Sequence, residues 1–302
     1  MEIIPPIIPP IIPTKIFIIP YRNRKQDKKL FDKHMKYILE DIPASLYKIF
    51  FVHQNDTKPF NRGAMKNIGF LAMRTQYPDN YKDITFIFND IDTYPVNKNA
   101  LDYDTVHGTV KHFYGFTFAL GGIFAITGHD FEVCGGFPNY WGWGLEDAVI
   151  QKAVLAAKIT INRDNFFAFR DTKNIVQHDN IEQRLTTKRE PWRFVNDEIN
   201  ETYHDIQNLQ YNIENEYIQV TNFTVKFVPS SDTYYFYNIN NGPASLDNKF
   251  GHQKNVKDVK DVKNAKDVIE KHGKNLGHRD MQFGMFNKTR ILRQKSRISM
   301  IF

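Results

Sequence analysis

Short apolar runs alternate with amphipathic segments along the first third of the chain. Three of these runs are continuous and rich in β-branched or aromatic residues, namely KIFIIPY (15–21), YKIFFVHQ (47–54) and ITFIFNDID (84–92). Such runs are typical of strands that are buried on both faces of a largely parallel sheet. Between them, DKKLFDKHMKYILEDI (27–42) and RGAMKNIGFLAMRTQ (62–76) place apolar residues at helical intervals. This β-α-β-α-β order predicts an open α/β sheet with a ligand site at the carboxyl ends of its strands.

Further elements follow after residue 118. The stretch FALGGIFAITGHDFEVCGGF (118–137) is apolar and punctuated by glycines, and EDAVIQKAVLAAK (146–158) has the pattern of a strong helix. Two more strands are predicted at VTNFTVKFV (220–228) and TYYFYNI (233–239). The remaining pattern between 160 and 245 is mixed.

Composition predicts three regions. Residues 1–14 are apolar, but their repeated prolines exclude a membrane-spanning helix and favour an extended, proline-rich arm. The chain has 302 residues, of which 41% are hydrophobic and 14% aromatic, enough to bury a large core. We place that core in one domain over 15–245. The stretch 246–302 is basic, carries a short KDV/KNV repeat and is interpreted as a solvated C-terminal appendage.

Charge and cysteine content limit the possible partners. The net charge of +6 suits an anionic partner, but a modest excess is more often a solvated surface, and we expect no nucleic acid partner. The single cysteine, Cys134, excludes an internal disulfide and gives no sign of an oxidising compartment. Since no signal peptide or membrane span is evident, we expect a cytoplasmic protein. The oligomeric state stays open.

An acidic triplet, Asp90-Ile91-Asp92, ends the third apolar run. Where a strand gives way to a turn, two such carboxylates can reach one ligand or one divalent ion. Short acidic triplets are also common in loops. The position at the mouth of the predicted sheet favours the metal interpretation.

Basic and aromatic residues follow the first two runs. Pro20-Tyr21-Arg22-Asn23-Arg24 comes at the end of the first, and Phe60-Asn61-Arg62 precedes the second helix. Arginines at these places suit bidentate phosphate contacts, and an aromatic ring suits a base or ribose. Each arginine alone is as consistent with a surface turn.

The stretch FPNYWGWGLED (137–147) sets two tryptophans among glycines and ends in two acids. Glu146 and Asp147 fall in the first turn of the predicted helix, where acids are favoured by the free N–H groups. Helix capping is therefore one interpretation. The other is a flat, bare surface with acids at its edge, since tryptophan offers an apolar face and glycine lets a ligand approach the backbone.

Five motifs together resemble the β-1,4-galactosyltransferase family. PYRNR (20–24), FNRG (60–63), FNDID (88–92), GGIFAI (121–126) and GGFPNYWGWGLED (135–147) occur in that family's order and approximate spacing, as PFRNR, FNR, DVD, FGG and FPNxYWGWGGED. The match covers roughly residues 15–195. The tryptophan motif is highly specific.

The resemblance implies a GT-A fold, with a mixed, mostly parallel central sheet flanked by helices. It also implies inverting transfer of a hexose or N-acetylhexosamine from a UDP-sugar to a glycan or glycoconjugate hydroxyl, with Mn²⁺ or another divalent cation. The implied donor-binding residues are Pro20, Tyr21, Arg22, Arg24, Phe60, Asn61, Arg62, Asp90, Ala119 and Trp143. The implied acceptor-binding residues are Trp141, Gly144, Glu146, Asp147 and Arg193. Asp147 is the implied general base, with Glu146 beside it, and Asp92 and His178 are the implied metal ligands.

Several positions depart from the family pattern. Ile175 stands where vertebrate members have a methionine ligand in an M-x-x-H segment, and isoleucine cannot coordinate a metal ion. Leu145 and Ala148 replace a glycine and an aspartate, which predicts a reshaped acceptor pocket. Ala119 takes the place of a tyrosine and leaves space for an N-acetyl group on the donor. The missing anchor and disulfides suggest a cytosolic enzyme of a microbe or a virus.

Two other classes of protein remain open at this point. A nucleotidyltransferase also uses paired aspartates and a divalent ion, but it does not explain the tryptophan segment. A non-catalytic nucleotide-sugar- or saccharide-binding protein with a degraded metal site is the second, and Ile175 is the feature that favours it.

Overall fold

The structure is a computed structural model that describes residues 11–178, 183–187, 189–195, 201–227 and 234–238. The first ten residues of the predicted arm and the whole of the predicted appendage, 246–302, lie outside the described residues. The proposed domain boundaries therefore stay predictions.

The described residues form thirteen strands, five α-helices and one short 3₁₀ turn. The strands are β1 (Lys15–Tyr21), β2 (Tyr47–Gln54), β3 (Thr85–Asn89), β4 (Thr93–Pro95), β5 (Thr109–Gly115), β6 (Ile123–Thr127), β7 (Thr160–Asn162), β8 (Phe167–Ala168), β9 (Ile175–Gln177), β10 (Gln183–Thr187), β11 (Gln207–Glu214), β12 (Tyr217–Thr224) and β13 (Tyr234–Asn238). The helices are α1 (Lys25–Ile38), α2 (Arg62–Gln76), α3 (Gly128–Cys134), α4 (Glu146–Ala156) and α5 (Arg189–Val195), and the 3₁₀ turn is Tyr203–Asp205.

One large mixed sheet organises the molecule. Its order is β11-β12-β2-β1-β3-β6-β5-β7, with β8 also paired to β5. The central β12-β2-β1-β3 strands run parallel, whereas β6 is antiparallel to both β3 and β5. Helices cover the sheet, so the prediction of an α/β fold with a mixed, mostly parallel sheet is confirmed. Small sheets form from β4 with β9 and from β10 with β13.

The core lies on both faces of this sheet. Alternate residues of β1 enter different apolar clusters: Ile16 and Ile18 pack with α2, and Phe17 and Ile19 pack with α1. A strand that is covered on both faces needs apolar residues at nearly every position. For this reason the sequence of β1 is an almost continuous apolar run. Such burial is the main stabilising term of the fold.

The predicted elements differ from the observed ones mainly at their ends. β1, β2 and α2 have the predicted bounds, whereas α1 ends at Ile38 and not at residue 42. β12 spans Tyr217–Thr224 and not 220–228, because its pairing with β2 begins at Tyr217. No helix within the described parts of the chain has the length and apolar character needed to cross a bilayer.

Candidate active site

The candidate site lies where β1 and β3 end and where α2 and α4 begin. β3 ends at Asn89 and is followed by Asp90 and Asp92, α2 begins at Arg62, and α4 begins at Glu146. The carboxyl edge of the sheet and the starts of two helices thus meet, the arrangement expected for ligand binding in open α/β folds.

Arg62 joins acidic residues that are distant in sequence. Its Nη2 lies 2.7 Å from Asp90 Oδ1, and its Nε lies 3.4 Å from Glu146 Oε1. The same Nη2 is 3.9 Å from Asp147 Oδ2. The aspartate after β3 and the two acids of the tryptophan segment therefore line one site.

Lys66 completes this cluster and was not identified from the sequence. It lies one helical turn after Arg62, so both side chains leave the same face of α2. Its Nζ is 2.9 Å from Asp147 Oδ1 and 4.0 Å from Asp90 Oδ1. The available signal was a lysine in a helix that is rich in apolar residues such as Met65 and Ile68.

Burial and charge act against each other on these acids. Burial raises the pKa of Glu146, although the positive charge of Arg62 opposes the rise. Burial also disfavours the charge of Asp90, but Arg62 and Lys66 outweigh it and the pKa of Asp90 is lowered. For Asp92, burial and then the charge of Asp90 raise the pKa. The site thus holds four carboxylates, Asp90, Asp92, Glu146 and Asp147, against the three cations Arg24, Arg62 and Lys66.

Asp92 and His178 are brought together by the pairing of β4 with β9. Thr93 lies opposite Gln177 in that pair, and the His178 N–H donates to the Asp92 carbonyl at 2.8 Å. The Asp92 carboxylate accepts from Arg24 Nη2 at 3.0 Å, and the His178 ring is 2.8 Å from the Tyr94 hydroxyl. The two predicted metal ligands are therefore neighbours.

Ile175 is buried in the core beside β4, where it has no ligating atom. Among the described residues, no group of three or more histidine, cysteine, aspartate or glutamate side chains is arranged to hold a metal ion. A carboxylate and an imidazole are chemically suitable ligands for a divalent ion such as Mn²⁺, but they supply only two of its positions.

The two tryptophans of the glycine-rich segment have different surroundings. Trp141 is only 1% exposed, donates from Nε1 to the Phe227 carbonyl at 2.7 Å and stacks on Phe223. The Trp141 ring is thus enclosed by the core, and its predicted contact with an acceptor stays a prediction. Trp143 is 39% exposed, and Gly144 beside it has a positive φ and open space around it. The exposed aromatic surface belongs to Trp143.

Some of the residues predicted to bind a ligand make hydrogen bonds or packing contacts within the protein in this structure. The Asn61 side chain is buried and accepts from the Ala64 N–H at the start of α2, so it is a helix cap. Arg22 donates to the carbonyls of Asp56 and Lys58 and fixes that loop. Pro20 and Tyr21 are buried in β1. The Phe60 ring is half-buried against the core, and its carbonyl accepts from the Gly142 N–H at 3.0 Å.

Arg193 is buried between two carboxylates. Its guanidinium lies 2.8 Å from Glu190 Oε2 and 3.0 Å from Glu201 Oε1, and it also covers the Tyr140 ring. Both Nη atoms of the guanidinium are therefore occupied by carboxylates of the protein. The predicted contact of Arg193 with an acceptor stays a prediction, and in this structure its guanidinium binds protein carboxylates.

The loop that carries Ala119 lies against Asp147. The Leu120 N–H donates to the Asp147 carbonyl at 2.9 Å, and a Cβ on Gly121 would stand 2.9 Å from Asp147 Oδ2. Ala119 itself is buried at the edge of this loop. A side chain at position 121 would press on the Asp147 carboxylate, so glycine is what lets this loop pack directly beside it.

Two family profiles match consecutive parts of the chain. The profile for the N-terminal region of glycosyl transferase group 7 matches residues 12–104, and that for the N-terminal domain of galactosyltransferase matches residues 102–179. Together they span more than half of the chain. The chain belongs to glycosyltransferase group 7. The resemblance inferred from five motifs is thereby confirmed.

Individual relatives agree with this membership. β-1,4-Galactosyltransferase 4 of Cricetulus griseus is 32% identical over an alignment of 190 residues that covers 54% of this chain and 51% of the relative. Xylosylprotein 4-β-galactosyltransferase of Caenorhabditis elegans is 29% identical over an alignment of 171 residues that covers 53% of this chain and 56% of the relative. The chain thus spans about half the length of these relatives.

Solved structures show the same fold. The catalytic domain of Drosophila β1,4-galactosyltransferase 7, in a complex with xylobiose, superposes with a TM-score of 0.54 at 20% identity and covers 72% of this chain and 96% of that one. A mutant of the Drosophila enzyme in complex with manganese, UDP-Gal and xylobiose gives a TM-score of 0.51 at 17% identity, with the same coverage. The predicted GT-A fold is confirmed.

The expected location is corrected by the same comparisons. The relatives are eukaryotic galactosyltransferases and not cytoplasmic proteins of microbes. The prediction of a cytoplasmic, microbial or viral protein is therefore wrong. It rested on the lack of an anchor in a chain that spans only about half of its relatives.

Proposed function

We propose that this protein transfers galactose from UDP-galactose to a hydroxyl of a glycan or glycoconjugate, with inversion at the anomeric carbon. The observation that carries the proposal is the Arg62-centred cluster, which gathers Asp90, Glu146 and Asp147 at the mouth of a galactosyltransferase fold. Membership of the family favours this reaction over nucleotidyl transfer.

Asp147 is the proposed general base. Its carboxylate is partly exposed, Oδ1 is hydrogen-bonded to Lys66, and Oδ2 lies 3.9 Å from Arg62 Nη2, which leaves Oδ2 for an acceptor hydroxyl. The hydroxyl gives its proton to Asp147 as its oxygen attacks the anomeric carbon, and the bond from that carbon to the diphosphate oxygen breaks. Glu146 is almost wholly buried and contacts Arg62, so its proposed role is to hold that arginine in place.

The donor would lie along the sheet edge. Arg24 and Arg62 supply positive charge for the diphosphate, and Trp143 offers an exposed apolar face for a sugar ring. Ala119 is small, which is the basis for testing an N-acetylated donor as well. The contacts of Phe60, Arg22 and Asp90 with the nucleotide stay predictions.

Asp92 and His178 are the residues that would hold a divalent cation. Their oxygen and nitrogen atoms suit Mn²⁺, and the remaining positions of such an ion are commonly taken by phosphate oxygens and water. When bound, the ion would stabilise the charge of the departing diphosphate. A related Drosophila structure contains manganese and UDP-Gal, which supports this assignment.

Release of UDP tests the proposed function directly. We expect UDP and a galactosylated product from UDP-Gal, Mn²⁺ and a panel of sugar acceptors, with UDP-GalNAc as a second donor. Asp147→Asn should lower kcat by about 10²- to 10⁴-fold, because general base catalysis contributes that much, while UDP binding by calorimetry is kept. Unchanged transfer in the variant would remove Asp147 from the role of base.

Metal removal tests the cation site. We expect EDTA to abolish transfer and Mn²⁺ to restore it, and Asp92→Asn to raise the Mn²⁺ concentration needed for half-maximal rate by at least about tenfold. Asp102→Asn, at an exposed surface ion pair with Lys111, is the matched control. Full activity of the wild type in EDTA would contradict the assignment.

A non-catalytic nucleotide-sugar-binding protein is the second candidate. It is favoured by Ile175 and by the absence, among the described residues, of a metal site with three protein ligands. Such a protein would bind UDP-Gal in the calorimeter and release no UDP with any acceptor. The two candidates are thus separated by one pair of measurements.

A further inference from the structure

Lys66 is a buried cation that the proposed reaction does not yet use. The residue is 2% exposed and lies on α2, where its helical neighbours Met65 and Ile68 belong to the apolar core. Burying an ammonium group is costly unless opposite charge compensates it. A specific electrostatic partner is therefore expected for Lys66.

That partner is Asp147. Lys66 Nζ donates to Asp147 Oδ1 at 2.9 Å across 81 residues of sequence. Asp90 Oδ1 is farther away, at 4.0 Å, and the Phe137 ring centroid is 4.5 Å from Nζ. The ammonium group thus has one close hydrogen bond to a carboxylate, and that carboxylate is the proposed base.

The two oxygens of Asp147 differ in their surroundings. Oδ1 accepts the short hydrogen bond from Lys66. Oδ2 lies 3.9 Å from Arg62 Nη2, beyond hydrogen-bond distance, and the Asp147 side chain is partly exposed. One oxygen is held by the protein, and the other is left for a ligand.

We propose that Lys66 is a positioning residue for the proposed reaction. It holds Asp147 through Oδ1, so that Oδ2 points to the place of the acceptor hydroxyl and takes its proton. Lys66 is not a catalytic residue in this assignment, because it acts only through Asp147. The proposal rests on the proposed function.

The other charges around Asp147 define what Lys66 adds. Arg62 reaches Asp147 from the same helix, Glu146 precedes it on α4, and Asp90 approaches from the end of β3. Arg62 is shared among all three acids, whereas the close bond of Lys66 goes to Asp147 alone. Loss of Lys66 leaves Asp147 with two acidic neighbours and one distant cation.

The test compares Lys66→Met, Lys66→Arg and a control, Lys82→Met, at an exposed lysine. With UDP-Gal as donor, we expect Lys66→Met to lower kcat about tenfold to hundredfold, the effect of a misplaced catalytic group. KM for UDP-Gal should stay within about twofold, since the lysine is assigned no donor contact. Lys66→Arg should recover part of the rate, and Lys82→Met should match the wild type.

The pH profile separates positioning from mere packing. Lys66→Met removes a positive charge 2.9 Å from a carboxylate of the site, so the acid limb of kcat should move to higher pH. A purely structural role would lower the fraction of folded enzyme and leave the limb where it is. An unmoved acid limb with unchanged kcat per folded molecule overturns the proposal.

A double variant shows whether Lys66 acts through Asp147. In an Asp147→Asn background, adding Lys66→Met should change the residual rate by less than about twofold, because the group it positions is gone. If Lys66→Met lowers the rate as much in the Asp147→Asn background as it does in the wild type, the proposal is overturned. If the wild type transfers nothing, the proposed function fails; if the wild type is active and Lys66→Met behaves like it, only this inference fails.

Discussion

At the scale of single residues, the same side chain performs different tasks according to its burial. Trp141 stacks inside the core, whereas Trp143, two positions later, is open to solvent. Arg62 is partly exposed and shared among site acids, whereas Arg193 is enclosed by Glu190 and Glu201. Burial and partners therefore decide which of these residues is available to a ligand.

Arg193→Met is a prediction at this scale. Removing the guanidinium leaves two carboxylates buried without their cation, and breaking a buried pair costs about 3–5 kcal/mol of the free energy of unfolding. Urea unfolding at pH 8 measures the loss. Arg74→Met, at a more exposed pair with Glu132, should change it by less than about 1 kcal/mol. A fully stable Arg193→Met with lost transfer would return Arg193 to acceptor binding.

At the scale of elements, α2 and the β4–β9 pair position most of the site. α2 carries Arg62 and Lys66 in its first two turns and packs on β1 and β2. Gly69 permits this close packing, since a Cβ there would lie 2.6 Å from Ile18 Cγ2 and 2.9 Å from Val52 Cγ2. The position of the two cations thus depends on how closely the helix approaches the sheet.

Gly69→Ala tests this dependence. Alanine favours the helix over glycine by about 1 kcal/mol, but overpacking of a tight core costs about 1–3 kcal/mol. We expect the clash to exceed the gain, so the free energy of unfolding falls, and kcat falls with it as Arg62 and Lys66 move. Thr75→Ala, at an exposed position of α2, is the control. Increased stability with normal kcat would show that the helix adjusts without cost.

At the scale of the whole molecule, buried ionisable groups link stability to pH. His112 Nε2 donates to the carbonyls of Tyr114 and Gly121, and its Nδ1 accepts from Arg163. Burial, reinforced by the charge of Arg163, lowers the pKa of His112 to about 3. Burial raises the pKa of Glu190 to about 7, against the opposing charge of Arg193. The two groups therefore give opposite slopes of stability with pH.

The sign for His112 follows from proton linkage. The unfolded chain binds a proton below pH of about 6.5 and the folded chain does not, so the contribution of His112 is present above that pH and is lost as the pH falls towards 3. The free energy of unfolding of the wild type, relative to His112→Gln, should fall by about 1.4 kcal/mol per pH unit below 6. His204→Gln, at an exposed histidine, serves as the control. A pH-independent difference would contradict the assignment.

Glu190 contributes in the opposite direction. Its folded-state pKa lies above the ordinary value of about 4.5 for a glutamate, so its contribution is present at low pH and is lost as the pH rises to about 7. For this reason the His112 effect is measured as a difference between two proteins. Subtracting the two free energies of unfolding removes the contributions that Glu190 and other groups make equally to both proteins.

The sequence alone determined the sheet-and-helix order and several bounds. β1, β2 and α2 have the predicted limits, because burial on two faces demands an unbroken apolar run and burial on one face demands a helical period. It also determined which strand ends and helix starts carry charged groups. These features depend on residues that are close together along the chain, and so they can be predicted from short stretches of sequence.

Only the tertiary structure decided which of those groups meet. Lys66 and Asp147 are 81 residues apart, and the β4–β9 pair that sets His178 beside Asp92 joins segments with no shared local pattern. The structure likewise placed Trp141 inside and Trp143 outside, although both stand in the same glycine-rich stretch. The physical reason is that a side chain's burial and charge partners come from whichever distant element packs against it, and that choice is made by the core as a whole.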